Sequence, residues 1–146
     1  MDYQDYKTTA ISHLKTADHL LTMTYPLVAD TKLLKLILNN IIDSMQDAVL
    51  ALFLFSKKQP MDFEYNVTNI KGILEKIDLS TGYIIFLKEI SELKEKQKNS
   101  CVEFIRRDKF VFASDDYQIK YVTEKELAEL ISKGKLFLKE AMGRIK

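Results

Sequence analysis

The sequence predicts a mainly α protein, an up-and-down helical bundle of four to five helices with a small β-hairpin before the last helix. Three observations carry that expectation. Apolar residues recur every three or four positions through most of the chain. Residues 32–55 form one long helix-forming run that is apolar around most of its circumference. The one segment rich in β-branched and aromatic residues flanks a turn cluster, Ser114-Asp115-Asp116. A length of 146 residues suits a single domain, residues 1–146, and no repeat, low-complexity tract or linker marks a second.

The first helix is predicted over residues 3–25, where Tyr6, Ala10, Leu14, Ala17, Leu21 and Tyr25 build one apolar stripe, and Pro26 is expected to end it. Asp30 or Thr31 then caps a second helix, Lys32–Phe55, closed near Ser56 by Gln59-Pro60 and the surrounding polar residues. The short connection makes the two antiparallel. A shorter third helix is expected over residues 66–77. The hydroxyls of Ser80 and Thr81 offer N-caps for a fourth that reaches about Lys98, with Ile84, Leu87, Ile90 and either Leu93 or Ser91 on its buried side. Residues 92–98 are a run of Glu and Lys and read as a solvated face.

Ser100 and Glu103 have the S-x-x-E spacing of a capping box, which predicts a short helical turn seating Phe104. Lys109-Phe110-Val111-Phe112 and Gln118-Ile119-Lys120-Tyr121-Val122 supply the two strands of the hairpin. The last helix has the clearest start: Thr123 and Glu126 occupy the N-cap and N3 positions of a capping box, with Val122 and Leu127 placed as a hydrophobic staple. Leu127, Leu130, Ile131, Leu138, Ala141, Met142 and Ile145 continue one apolar face. Gly134 on that face suits either a close helix crossing or a tolerated weak point.

Composition narrows the function. Lys and Arg number 22 against 21 Asp and Glu, so no overall field draws the chain to nucleic acid or an anionic membrane, although a local basic patch is compatible with that balance. The single cysteine, Cys101, excludes an internal disulfide and a cysteine-rich zinc site. With no signal-like charged and apolar regions at the start, it points to a cytoplasmic protein. Residues 32–55 are long enough to span a bilayer, but an Asp at mid-helix costs about 2.5–3.5 kcal/mol on insertion. Asp43 and Asp47 lie there with Asn39 and Asn40, so a buried helix and no membrane partner are expected.

No catalytic motif is completed. His13 and His19 are six residues apart, about 120° around a helix, and so do not share one ion; no Glu-x-x-His pair accompanies them, and neither metal nor cofactor is expected. The four glycines form no phosphate-cradling loop. Two groups remain as binding candidates. Asn40, Asp43, Ser44 and Asp47, with Asn39, fit a hydrogen-bonded network or polar site on the second helix, or simply its solvated side. Arg106, Arg107 and Lys109 lie where cations from different backbone directions converge on an anion, a role that Asp108 tempers.

Ala17-Asp18-His19-Leu20-Leu21, Tyr25-Pro26-Leu27-Val28, Lys32-Leu33-Leu34, residues 40–48 and residues 102–111 together carry a resemblance to a group of small, uncharacterised archaeal helical proteins, and more distantly to the HEPN-like superfamily. The resemblance implies a helical bundle that pairs as a dimer, in a superfamily whose active members are metal-independent ribonucleases. Those members carry Arg followed after four to six residues by His. Here the corresponding positions after Arg106 and Arg107 fall among Val111, Phe112, Ala113 and Ser114, and no histidine follows His19. The expected function is therefore a non-catalytic helical binding or assembly module, a homodimer with the apolar surface of the first two helices as its interface. The alternative is an RNA-associated HEPN-like protein, binding RNA or nucleotide weakly or serving as an inactive ribonuclease fold; an enzyme using Asp43 and Asp47 ranks third.

Overall fold

The computed structural model describes residues 1–106, 109–114 and 118–146, and it is mainly helical. Helix α1 (Tyr3–His19) starts at a capping box: the Asp2 carboxylate accepts from the Asp5 N–H at 3.0 Å, and the Asp5 carboxylate accepts from the Asp2 N–H at 3.1 Å. Pro26 does not end the helix. The chain widens into a π-helical turn, Leu20–Thr24, in which the Tyr25 N–H bonds to the Leu20 carbonyl, and continues as α2 (Tyr25–Val28). Proline lacks an N–H and its ring crowds the carbonyl four residues back; the wider turn relieves that crowding, and the first turn of α2 has no use for the missing donor. Ala29, in the left-handed region at φ 53°, closes the segment.

Helix α3 (Lys32–Phe55) is the central element. Asp30 accepts from the Lys32 N–H at 2.9 Å, while Thr31 makes no side-chain cap, and Ser56 ends the helix as expected. Thr9 meets Asp47, Ala10 meets Ser44 and His13 meets Asn40, so α1 and α3 run antiparallel; the Tyr3 ring packs edge-on to Phe55 at 5.2 Å. By length and composition α3 would pass for a membrane span. Yet 61% of its most apolar stretch is buried inside the protein, so most of its apolar surface is already covered.

The single helix expected over 66–77 is two, α4 (Phe63–Thr68) and α5 (Lys71–Lys76). Asp62 starts α4 early by accepting from the Tyr65 N–H. The Asn69 side chain bonds back to the Tyr65 carbonyl and ends the helix, and Ile70 turns into the core. Buried Asn66 ties down the preceding loop, donating to and accepting from the Met61 backbone. Helix α6 (Tyr83–Lys98) starts at Gly82 without a side-chain cap; Ser80 instead accepts from the Gly82 N–H. Leu87, Ile90, Ser91 and Leu93 are buried, as expected, whereas Ile84 is only half-buried and Phe86 takes a buried place; the charged tail is not simply solvated, for Lys94 donates to Gln46 and lies 5.7 Å over the Phe63 ring.

The largest departure follows. Residues 100–106, expected to open as a helical turn, are strand β1 (Ser100–Arg106), antiparallel to β2 (Lys109–Ser114), which is antiparallel to β3 (Ile119–Thr123). The predicted hairpin is the β2–β3 pair, and its turn residues Asp115 and Asp116 lie outside the described residues. Phe110, Phe112 and Val122 point into the main core. Thr123 caps α7 (Glu124–Arg144), accepting from the Glu126 N–H at 3.2 Å, while the Glu126 carboxylate pairs with Lys120. The predicted α7 face is buried, with Phe137 added. At Gly134 a Cβ would come within 3.3 Å of Met45 and 3.4 Å of Leu14, so this glycine marks the close crossing of α7 over α1 and α3.

Candidate functional site

The polar residues of α3 do not form one site. Ser44 is fully buried and donates to the Ala10 carbonyl, so it serves the α1–α3 crossing. Asn40 donates to the Leu36 carbonyl and turns its oxygen to His13 Nδ1 at 3.3 Å, while His13 Nε2 lies 3.6 Å from Asp47. Thr9 donates to the same Asp47 oxygen at 2.9 Å. Burial holds the Asp47 carboxyl above the usual 3.8; the Thr9 hydrogen bond and the His13 charge oppose the shift, and Asp43 adds to it. Asp43 itself is exposed. With Asn39 it borders a shallow cleft facing Lys94 and Lys98 of α6. Among the described residues no three His, Cys, Asp or Glu side chains gather as metal ligands.

Sequence reasoning missed His13 as a partner of the helix-three polar residues, because it weighed the two histidines only against each other. Antiparallel pairing of α1 with α3 provides the link. Both imidazole nitrogens face protein groups, so the arrangement ties α1 to α3.

The sheet tells a different story. Strand alternation puts Phe110, Phe112 and Val122 inward, which turns Val102, Phe104 and Arg106 of β1, Lys109, Val111 and Ala113 of β2, and Ile119 and Tyr121 of β3 outward. Val111 is fully buried yet belongs to no part of the main core; on this outer face it is flanked across the ladders by Phe104 and Tyr121, themselves 45% and 44% exposed. Val102 and Ile119 extend the patch at 51% and 54%. Arg106 pairs in register with Lys109 at one end, and Lys109 Nζ lies 5.6 Å from the centre of the Tyr121 ring. The structure thus brings Arg106 and Lys109 together, beside aromatic rings; Arg107, the third predicted cation, lies outside the described residues. The period-two pattern of Val102, Phe104 and Arg106 was the available signal for this face.

A cleft of about 630 Å³ opens at the other end of the sheet, between Glu95 and Lys96 of α6 with Asn99 just beyond it, and Phe112 and Lys120 of the strands with Gln118 just before β3. Its charges are mixed, and Lys120 is already paired with Glu126.

No protein-family model matches this chain, and no curated protein matches it.

Proposed function

We propose that this chain is a non-catalytic binding and assembly module: an up-and-down helical bundle that presents its three-stranded sheet and works as a homodimer. One observation carries this reading. Six of the seven residues of β1 are exposed, at the edge of a sheet whose outer face is a contiguous apolar strip. Edges of this kind recruit another strand, and apolar patches of this kind recruit a surface.

The first two helices, which the sequence nominated as the interface, spend their apolar surface inside the monomer: Ala48, Val49, Ala51, Leu52 and Phe53 are all buried. Met23, Leu27, Val28 and Leu36 stay exposed near the α2 end. Likeness to HEPN-like and archaeal helical proteins would then concern architecture and pairing rather than ribonuclease chemistry. Light scattering across the micromolar range tests the reading. Twice the 17.0 kDa chain mass is expected, and an unchanging 17.0 kDa would overturn it.

A second reading, weak binding of single-stranded RNA, is favoured by one observation: Arg106 and Lys109 sit beside Phe104 and Tyr121 on a face with no carboxylate among its described outward residues. Two cations neutralise few phosphates, so such binding is salt-sensitive and sequence-independent. An Arg106→Ala/Lys109→Ala variant that bound RNA as the wild type does would remove it.

A further inference from the structure

We infer that two copies of this chain pair antiparallel through β1, about a twofold axis at Glu103, to make one continuous six-stranded sheet. This rests on the assembly reading above and specifies the surface and the register.

In an antiparallel pair, residues directly opposite share a face, so a twofold axis perpendicular to the sheet keeps outer face with outer face and falls on a residue. Three centres give a substantial overlap of a seven-residue strand, and they differ in what they juxtapose. Centred on Phe104, the pairing sets Val102 opposite the partner's Arg106 and drives a cation into the apolar strip. Centred on Val102, it sets Phe104 opposite the partner's Ser100, at the bulged start of the strand, and leaves Arg106 outside the pairing.

Centred on Glu103, like meets like. Val102 faces the partner's Phe104, and Phe104 faces the partner's Val102. Within one chain Tyr121, Val111 and Phe104 already lie in line across the ladders, as do Ile119, Ala113 and Val102. Joining the edges in this register extends the first row into the partner's second: Tyr121, Val111 and Phe104, then the partner's Val102, Ala113 and Ile119. The twofold axis repeats the row in the opposite sense, so two unbroken apolar rows cross six strands. Pairing covers the half-exposed Val102 and Phe104 of both copies.

The charges agree with this register. Each Arg106 falls opposite the partner's bulged strand start, Ser100 and Cys101, away from the apolar rows. The two Arg106 residues then stand about six residues, or roughly 20 Å, apart along the strands, well beyond the screening length of about 8 Å at physiological salt. On the inner face the two Glu103 carboxylates meet at the axis, where each brings its own Lys35 ammonium as a counter-charge.

Charge substitution at two positions tests the register. Val102→Asp and Phe104→Arg each place charges against an apolar partner in both halves of the interface. Each variant is expected to remain a folded monomer at concentrations where the wild type is paired, with an unchanged circular dichroism spectrum because both positions are largely exposed. Mixed in equal amounts they should pair again. One junction then sets the introduced carboxylate against the introduced guanidinium, the other keeps the native Val102–Phe104 contact, and affinity should return to within about tenfold of wild type. A paired wild type that neither substitution disturbs overturns β1 as the surface while leaving the assembly reading intact. Disturbed single variants that do not recombine overturn the register. A wild type that stays at 17.0 kDa throughout overturns both.

Discussion

The α1–α3 pair and the three-stranded sheet handle the same problem in opposite ways. Where the helices meet, even the polar residues find partners within the chain: Ser44 takes the Ala10 carbonyl, Asp47 takes Thr9, and His13 lies between Asn40 and Asp47. In the sheet, apolar residues are left half in water. Val102, Phe104, Ile119 and Tyr121 surround Val111 on the face turned away from the main core. Polar atoms buried without partners cost about 1–3 kcal/mol each, which explains why these side chains are paired. An apolar face turned away from the core has no such reason inside the monomer, and the proposed association would supply one.

The largest effect expected from this contrast is one of stability. Phe137 is fully buried on α7, and Phe137→Ala should destabilise the chain by about 3–5 kcal/mol, whereas Phe104→Ala, at a half-exposed ring, should cost about 1 kcal/mol or less in the dilute monomer. Urea unfolding followed by circular dichroism measures both. Comparable losses would erase the distinction between the two regions. A middle-sized effect belongs to Ser44→Ala. The hydroxyl bonds a carbonyl in the α1–α3 crossing, and its loss should cost about 1 kcal/mol, against no measurable change if the contact were incidental.

The smallest effect concerns pH. Asp47 holds its proton more tightly in the folded chain than its ordinary value of 3.8, because burial penalises the carboxylate. The sign follows from linkage: stability from this group is complete below 3.8 and declines as pH rises through the raised folded value. Relative to Asp47→Asn, the wild type should therefore lose stability as pH climbs from below 3.8. Parallel stability curves for the two proteins would show that the carboxyl is effectively solvated.

Much of the helical half was legible because local signals and packing agree there. The stripe of Ala10, Leu14, Ala17 and Leu21, the Thr123 cap and the apolar face of α7 all stand as read. Misreadings fell where one local signal competed with another. Ser100 and Glu103 have capping-box spacing, but no helix follows them; Val102, Phe104 and Ile105 favour a strand, and β2 supplies the ladder that decides it. Pro26 reads as a stop, yet a wider turn absorbs it. The polar residues of α3 were visible as a cluster, but their division between crossing, His13 and solvent depends on which helix packs beside them. That is a tertiary fact. The outer face of the sheet was hidden for the same reason, since β1 had first to be a strand.

Assembly through β1 requires that its exposed edge be used. Amide hydrogen exchange, measured on dilute and on concentrated protein, reads that edge residue by residue. Amides of α1 and α3 should be protected equally at both concentrations, while the outward amides of Ser100–Arg106 should exchange quickly when dilute and slow markedly on concentration. Fast, concentration-independent exchange along β1, in protein that nonetheless doubles its mass, would contradict it.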